Sequence, residues 1–154
     1  MNQIVIETQR LCIFPKSIEE MKALCNIESD PEMKKAYSEM LDTMQKLNGR
    51  EEWGADWNIN LKTGVSVGDI CFKGTLDAEG AVEIGYGIDE TYRRMGYATE
   101  AVSGIVNWAL TQDGVRLVTA QTEPSNKISQ KVLLKNSFIR DGYGEEGPLY
   151  KLKR

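Results

Sequence analysis

The chain has 154 residues, 41% of them hydrophobic and 27% charged, with a formal net charge of −4. This length and composition are typical of one globular domain and exclude a disordered chain, and the negative charge argues against a protein that binds nucleic acid by neutralising phosphates. The sequence contains no histidine, which excludes histidine-based catalytic triads and HExxH zinc sites. Acid–base chemistry is left to carboxylates, tyrosines, lysines, cysteines or bound water, and no metal site is predicted.

The first third of the chain carries one strand signal and then two helix signals. Residues 4–14 are rich in β-forming side chains and predict a first strand. A capping box, Ser17-Ile18-Glu19-Glu20, predicts a helix over residues 18–27. A second helix over residues 31–47 is predicted because Asp30 and Pro31 suit the N-cap and the first helical position.

Three strand signals follow, separated by turn residues. Residues 53–61, 66–76 and 81–89 predict the second, third and fourth strands, and a hairpin loop at 77–80 precedes the last of them. On the fourth strand, one face is apolar and the other carries two glycines. The apolar face consists of Val82, Ile84, Tyr86 and Ile88, and the opposite face of Glu83, Gly85, Gly87 and Asp89. The glycines leave room for a ligand to approach the backbone.

The most informative segment is the loop that follows this strand, Arg93-Arg94-Met95-Gly96-Tyr97-Ala98. It leads into an amphipathic helix, so it would point free backbone N–H groups at one place, with the positive end of the helix behind them. This arrangement binds phosphate without any particular side chain, although Arg93 and Arg94 either add charge there or form a solvated surface pair. The segment predicts a site for a phosphate-bearing cofactor; by itself it also fits an ordinary strand–helix turn.

The last third of the chain completes a mixed sheet. Residues 116–122 predict a fifth strand, and a short helix is expected to start at Ser125-Asn126 and to run to about residue 136. Two closing strands are predicted over residues 138–143 and 149–153. The resulting order, β-α-α-β-β-β-α-β-α-β-β, implies a mixed sheet.

Taken together, these motifs resemble the GNAT acyltransferase superfamily over essentially the whole chain. The phosphate loop of that superfamily reads Arg/Gln-x-x-Gly-x-Gly/Ala, and residues 93–98 match it directly after the strand segment Glu83-Ile84-Gly85-Tyr86. The RimJ/RimL-like branch has the signature Asn-x-x-Ser-x-x-Val-Leu, which is similar to the segment from Asn126 through Ser129 to Val132-Leu133. The opening strand of that branch resembles Thr8-Gln9-Arg10-Leu11.

The resemblance implies an α/β (α+β) fold in which residues 1–154 form a single GNAT-like domain. It has a mixed, mostly antiparallel central sheet of six to seven strands and about four helices. The implied cosubstrate is acetyl-CoA, with its pyrophosphate held by the backbone of residues 94–99 and its pantetheine arm paired with the fourth strand near Ile88. The N–H near Ile88 would also stabilise the developing oxyanion. The implied cofactor-binding residues are Ile88, Arg93, Arg94, Met95, Gly96, Tyr97, Ala98, Thr99 and Asn126.

Two side chains are candidates for the chemistry. Transfer to an amine needs a base, because a lysine-like or α-amine is largely protonated at neutral pH. Glu83 faces the glycine side of the fourth strand and is the candidate base, or else it is a solvated or salt-bridged residue. By resemblance, Ser129 would protonate the leaving thiolate and Asn126 would hydrogen-bond the pantetheine amide, whereas the alternative for both is helix capping. Alternative proton donors are Tyr92, Tyr97 and Tyr143.

Trp53 and Trp57 lie four residues apart on the second predicted strand and therefore share a face. They either wall the acceptor pocket or pack in the core. The three cysteines, Cys12, Cys25 and Cys71, are scattered without a CxxC pair, which is typical of reduced thiols in a cytoplasmic protein. The sequence has no apolar run long enough to span a membrane and no signal-peptide start, so a cytoplasmic location without membrane partners is predicted.

The leading hypothesis is a cytoplasmic N-acetyltransferase that forms a ternary complex and transfers the acetyl group directly. The alternative is a non-catalytic sensor that binds acyl-CoA without turnover. A nucleotide-binding module is disfavoured because GxxxxGKS/T is absent and position 90 is Glu instead of a third glycine. The expected acceptor is an amine of a small molecule or of a protein N-terminus. Glu145 and Glu146 either attract a cationic acceptor or form an exposed turn. A homodimer is possible, and no nucleic-acid partner is expected.

Overall fold

The structure, a computed structural model, describes residues 3–73 and 76–154. Within these residues, the strands and helices in chain order are β1 (Ile6–Glu7), β2 (Leu11–Pro15), α1 (Ile18–Ile27), α2 (Pro31–Lys46), β3 (Asp56–Leu61), β4 (Ser66–Lys73), β5 (Ala81–Ile88), α3 (Tyr97–Leu110), β6 (Leu117–Gln121), α4 (Lys127–Lys135), β7 (Ile139–Tyr143) and β8 (Pro148–Lys153). Short 3-10 turns at Glu51–Trp53 and Glu90–Tyr92 precede β3 and α3.

The strands of the described residues form one eight-stranded sheet in the order β1-β2-β3-β4-β5-β6-β8-β7. Neighbouring strands are antiparallel except for β5 and β6, which run parallel and are connected through α3. The predicted mixed, mostly antiparallel sheet with four helices is confirmed, with eight strands in the described residues instead of six to seven.

The extra strand arises because the prediction of one strand over residues 4–14 is wrong. This segment folds as a hairpin of β1 and β2, closed at Thr8. The Thr8 N–H donates to the Leu11 carbonyl at 3.0 Å, and the Leu11 N–H donates to Thr8 Oγ1 at 3.1 Å. The turn contains neither glycine nor proline, the residues that usually mark a turn, so the β-forming composition on both sides hides it.

Two further strand boundaries differ from prediction. β3 begins at Asp56 instead of residue 53 because Glu51–Trp53 form a 3-10 turn, in which the Gly54 N–H donates to the Glu51 carbonyl at 3.0 Å. The predicted strand over residues 66–76 is confirmed over Ser66–Lys73, but its predicted end is wrong because Leu76 is not in a strand. Residues 74 and 75 of that prediction lie outside the described residues.

The predicted starts of the first two helices are confirmed by their caps. At α1, the Glu20 N–H donates to Ser17 Oγ and the Ser17 N–H donates to Glu20 Oε1, both at 3.1 Å. These two bonds satisfy backbone donors that the helix leaves free. At α2, the side chain of Asp30 accepts from the Glu32 N–H at 3.1 Å, with Pro31 in the first turn.

The main core lies between α3 and one face of the sheet. Trp53 and Trp57 are only 5% and 0% exposed and pack with Phe72 and Trp108, with ring centroids between 4.6 and 6.0 Å apart. Their interpretation as core residues is confirmed, and the alternative that they wall an acceptor pocket is wrong. The predicted amphipathic helix is confirmed as α3. Ala98 is half-buried at its start, and the residues that it buries against the sheet include Ala101, Val102, Ile105 and Ala109.

Candidate active site

A gap opens in the middle of the sheet between β5 and β6. The parallel pairing of these strands covers Ala81–Ile84 of β5 and ends at the pair Ile84 and Ala120. From Gly85 to Ile88, β5 stays paired with β4 alone. This stretch of β5 therefore presents an edge inside the sheet, where another extended chain can pair with it.

The backbone alternation of β5 determines which groups face this gap. Asp89 N–H donates to the Val67 carbonyl at 2.8 Å, one step beyond the register that pairs Ile88 with Gly68. In an antiparallel pair, hydrogen-bonded and non-hydrogen-bonded positions alternate. The N–H and C=O groups of Tyr86 and Ile88 consequently point away from β4 and into the gap.

The loop over residues 93–98, here called the phosphate loop, ends beside this gap at the start of α3. Gly96 is the N-cap residue of α3 with φ +82°, and Arg94 also has a positive φ of 69°. Within the described part of the chain, the N–H groups of residues 94–99 donate to no protein acceptor. Free N–H groups at a helix N-terminus form a site for an anion such as phosphate.

The two arginines of the phosphate loop are placed differently. Arg93 Nε donates to the Ile88 carbonyl at 2.9 Å, so its side chain connects the loop to the end of β5. Arg94 is exposed. Met95 is also exposed, at 51%, whereas Tyr97, Ala98 and Thr99 are half-buried in the first turn of α3.

Arg10 holds the phosphate loop from the side of the β1–β2 hairpin, a contact that the sequence did not reveal. Its guanidinium donates from Nη1 to the Met95 carbonyl at 2.8 Å, pairs through Nε with Glu100 Oε1 at 2.7 Å, and lies 4.6 Å from the centroid of the Tyr97 ring. Thr8 Oγ1 and the Arg10 N–H also donate to Glu100 Oε2. The one signal in the sequence that singled out this segment was the resemblance of residues 8–11 to the opening strand of the RimJ/RimL-like branch.

These contacts also control a negative charge in the first turn of α3. Partial burial alone would raise the pKa of Glu100, but the hydrogen bonds from Thr8 and Arg10 and the guanidinium charge outweigh it and leave the pKa below its usual range. Glu100 therefore stays ionised, and Arg10 neutralises it. The first turn of α3 remains compatible with an anion.

On the other side of the gap, the start of α4 presents Asn126 and Ser129. Asn126 is the N-cap, and its Oδ1 accepts from the Ser129 N–H at 3.1 Å, so the capping interpretation is correct for Asn126. Ser129 Oγ lies 2.8 Å from the hydroxyl of Tyr86, which also donates to the Ser129 carbonyl at 3.2 Å. Burial raises the pKa of Tyr86, and the hydrogen bond with Ser129 offsets this only in part.

A cavity of about 810 Å³, here called the cleft cavity, connects the gap to the polar face of the sheet. Its lining combines Tyr86, Asn126 and Ser129 with polar side chains from β3, β4 and β6. The structure thus brings Ser129 and Asn126 to one cavity beside the β5 edge. Tyr86 contributes a further hydroxyl group to this cavity. The sequence pattern had indicated it only as a member of the apolar face of the fourth strand.

Glu83 lies behind two of the residues that line the cleft cavity. Gln121 Nε2 is 3.3 Å from both Glu83 carboxylate oxygens, and Lys73 Nζ is 3.8 Å from Glu83 Oε2. Lys73 also pairs with Glu146 at 3.0 Å, and the Glu146 N–H donates to Gln121 Oε1 at 2.9 Å. Glu83 is therefore in a charged network that ties the turn before β8 to β4, β5 and β6.

Two aspartates that the sequence analysis did not single out line the same cavity. Asp56 is 4% exposed and pairs with Lys16 Nζ at 2.7 Å, and Asp69 is half-buried on the neighbouring strand β4. Burial, and then the charge of Asp69, raise the pKa of Asp56 to about 7, against the opposing effect of Lys16. A carboxyl group within the otherwise apolar β4 segment, Val67 to Phe72, was the signal available in the sequence.

Among the described residues, no group of three or more histidine, cysteine, aspartate or glutamate side chains is arranged to hold a metal ion. No helix in residues 3–73 and 76–154 is long and apolar enough to cross a membrane.

The amino-acid sequence is similar to those of known acetyltransferases. The family model described as "Acetyltransferase (GNAT) domain" matches residues 10–139. The uncharacterized N-acetyltransferase YjdG of Bacillus subtilis is 42% identical over 99 residues, an alignment that spans 64% of this chain and 58% of that protein. The uncharacterized N-acetyltransferase p20 of Bacillus licheniformis is 30% identical over 146 residues, which cover 88% of this chain and 82% of that protein.

Solved structures show the same architecture at low sequence identity. RimL, a ribosomal alpha-N-protein acetyltransferase solved in complex with coenzyme A, superposes with a TM-score of 0.74 at 15% identity. The superposition covers 97% of this chain and 98% of RimL. At this identity the likeness concerns the fold alone.

Proposed function

Because the chain belongs to the GNAT family and is an acetyltransferase, we propose that it moves an acetyl group from acetyl-CoA to a primary amine. The family assigned from the sequence motifs is confirmed. The observation that carries the proposal is the position of the phosphate loop, whose free N–H groups lie beside an open backbone edge at residues 85–88. A cosubstrate with a pyrophosphate and a long amide-containing arm offers a partner for both.

The residues present fit acetyl-CoA, which when bound would supply an acetyl group activated as a thioester. The N–H groups of residues 94–99 would hold the pyrophosphate, while Arg94 adds charge at the surface. The backbone groups of Tyr86 and Ile88 would pair with the pantetheine arm. The Ile88 carbonyl already accepts a hydrogen bond from Arg93, so at Ile88 the N–H is the group left to pair with the arm or to stabilise an oxyanion. The Nδ2 amide of Asn126 is available to a pantetheine carbonyl because only Oδ1 caps the helix.

Two carboxylate sites compete for the role of base. Glu83 is the candidate from the sequence, but it does not line the cleft cavity itself and contacts Lys73 and Gln121, which do. Asp56 lines the cavity directly, and its pKa of about 7 is near the value at which a general base works best at neutral pH. Comparison of Glu83→Gln with Asp56→Asn in kcat–pH profiles separates them, because only loss of the true base removes the acidic limb.

Ser129 is the proposed proton donor to the departing thiolate. Its hydroxyl shares a hydrogen bond with Tyr86 at 2.8 Å. Tyr86 therefore orients the Ser129 hydroxyl and can return a proton to it. Of the alternative donors, Tyr97 lies under Arg10 and Tyr143 is 71% exposed on β7, so neither is part of this contact.

Direct transfer in a ternary complex is favoured over a covalent acyl-enzyme. Among the described residues, the cysteine that lines the cleft cavity is Cys71. Burial, followed by the charges of Asp56 and Asp69, raises the pKa of the Cys71 thiol to about 12. The reactive thiolate is therefore scarce at neutral pH, and this cysteine is a poor nucleophile.

The proposed acceptor is a primary amine, either a small molecule or a protein N-terminus, encountered in the cytoplasm. RimL is named for transfer to a protein α-amine. In the cleft cavity, Asp56, Asp69, Glu123 and Glu146 outnumber the single lysine that lines it, Lys73. An amine that arrives protonated would meet a favourable potential there.

Thermal shift with acetyl-CoA, CoA, ATP and NAD at saturating concentration tests the proposal. A ligand that binds only the native state raises Tm by mass action. We expect stabilisation by the two CoA species alone, and no response to either would contradict the proposal. Free-thiol release in an amine screen then distinguishes an enzyme from a sensor, which would bind CoA and release no thiol with any amine.

A further inference from the structure

The cleft cavity contains a primary amine of the protein itself, the side chain of Lys73. Its Nζ lies 3.0 Å from Glu146 Oε2 and 3.8 Å from Glu83 Oε2, and its side chain is 38% exposed. The chemistry proposed for this cavity is transfer to an amine of this kind. Transfer to an external amine, as proposed above for the bound cosubstrate, gives Lys73 no chemical role.

The aliphatic stem of Lys73 crosses the position where the sheet opens. A Cβ atom built on Gly85 would lie 2.6 Å from Lys73 Cε and 3.6 Å from Lys73 Nζ. Gly85 is the first residue of β5 beyond the pairing with β6. Lys73 therefore places an amine directly over the β5 edge along which the pantetheine arm would run from the phosphate loop.

We propose that Lys73 is an acetylation site of the protein, modified in cis by its own bound acetyl-CoA. This inference rests on the proposed function. In the step, the Lys73 ammonium loses one proton, its Nζ forms a bond with the acetyl carbonyl carbon, and the bond from that carbon to sulfur breaks. The second nitrogen proton neutralises the leaving thiolate, so the products are Nζ-acetyl-Lys73, CoA thiol and one released proton.

The neighbours of Lys73 supply what this step needs. The Glu83 carboxylate at 3.8 Å is positioned to receive the first proton, and Ser129 on the opposite wall is the proposed donor to sulfur. An amine held beside the thioester reacts at a high effective concentration. This role also explains why Glu83 lies beside a lysine instead of facing open solvent.

Acetylation at Lys73 would have a structural consequence. The modification removes the positive charge and with it the attraction to Glu146 and Glu83. Glu146 belongs to the turn before β8, which lies against Gln121. The modified protein would hold this turn less firmly over the cleft cavity, so the modification would change access for other acceptors.

Lys151 offers a matched internal control for the test. It is 35% exposed and pairs with Asp141 at 3.1 Å, values close to those of Lys73, but it lies on β8 away from the cleft cavity. The protein is incubated with acetyl-CoA and no acceptor, and peptide mass spectrometry follows both lysines over time. We expect Lys73 to be acetylated about tenfold faster or more than Lys151, at a rate independent of protein concentration.

A second readout needs no turnover. Saturating CoA, which carries no acetyl group, should protect Lys73 but not Lys151 from labelling by acetic anhydride. Hydrogen exchange adds a structural check: Lys73→Gln should raise exchange at residues 144–147, whereas Lys73→Arg, which keeps the charge, should leave it unchanged.

The outcomes distinguish the two proposals. If the protein binds CoA and acetylates an external amine while Lys73 is modified no faster than Lys151, the Lys73 proposal is overturned and the proposed function stands. If CoA neither binds nor protects Lys73, both fail. Preferential modification that scales with protein concentration would indicate transfer between molecules and would overturn the cis mechanism.

Discussion

The phosphate loop and the cleft cavity, on the two sides of the gap between β5 and β6, offer a ligand different chemistry. The phosphate loop presents the backbone N–H groups of residues 94–99. The side chains of Arg93, Arg94 and Met95 are exposed, and that of Arg93 donates to the Ile88 carbonyl. The cleft cavity presents side chains, among them Asp56, Lys73, Tyr86 and Ser129, from elements far apart in the chain. A backbone site depends on conformation and tolerates side-chain change, whereas a side-chain site is sensitive to each residue. The mutations below test this difference.

The largest effect is expected at the side-chain site, from Ser129→Ala. Loss of a positioned proton donor should lower kcat about a hundredfold, with little change in CoA affinity. Ser125→Ala, in the exposed turn before α4, is the matched control and should keep full activity. Steady-state kinetics with an acceptor amine measure both. A Ser129→Ala enzyme with normal kcat would remove this residue from the mechanism.

At the backbone site, the corresponding change is Gly96→Val. A β-branched residue with φ near +82° costs about 1–3 kcal/mol, and its Cβ would lie 3.2 Å from Arg10 Nη2. We expect CoA affinity to fall about tenfold to a hundredfold in calorimetric titrations. Gly49→Val has a similar φ of +85° in open space, so it should lose stability and keep CoA affinity. Equal CoA binding by both variants would show that the loop conformation is not what binds the cofactor.

Arg10→Ala tests whether the backbone site depends on support from outside the loop. The change removes the contacts to Met95, Glu100 and Tyr97. The ionised Glu100 would then be unneutralised beside the anion site, so KM for acetyl-CoA should rise about tenfold while kcat changes little. Lys62→Ala is the control. It removes only an exposed ion pair with Glu7 of the β1–β2 hairpin, at 4.0 Å, and should change neither KM for acetyl-CoA nor kcat. A fall in kcat alone would contradict the positioning role of Arg10.

The smallest effect concerns stability, through Asp56→Asn. The pKa of Asp56 is raised to about 7 in the folded protein, so between its unfolded value near 4 and about 7 the folded state binds more protons than the unfolded state. Stability from this group is therefore full at low pH and is lost as pH rises through about 7. The free energy of unfolding of the native protein, minus that of the variant, should decrease over this range in denaturant titrations. Asp141→Asn, at an exposed ion pair, should show no such decrease.

How much of this site the sequence predicts depends on how far apart along the chain the residues of each feature lie. The phosphate loop, the capping box at Ser17 and the N-cap Asn126 were all found because each motif lies within a few residues. Arg10, in contrast, contacts Glu100 across the chain, and Asp56 meets Asp69 only because β3 and β4 pair. No local pattern encodes these meetings.

Glu83 illustrates the same limit from the other side. Its place on the glycine face of β5 was correctly inferred from alternation, because a strand has a period of two. That Glu83 contacts Lys73 and Gln121 instead of lining the cavity itself depends on the strands that flank β5. Those neighbours are decided by sheet order, which alternation does not specify.

By itself, the sequence determined the helices, most strands and the loop over residues 93–98, because short-range periodicity, capping and turn chemistry act between residues close in the chain. The family followed from the resemblance of its motifs to known ones. Only the tertiary structure decided where the sheet opens, that Trp53 and Trp57 belong to the core, and which charged groups share the cleft cavity. These depend on strand pairing and burial, whose energies arise from contacts between distant segments and become defined only when the whole sheet has formed.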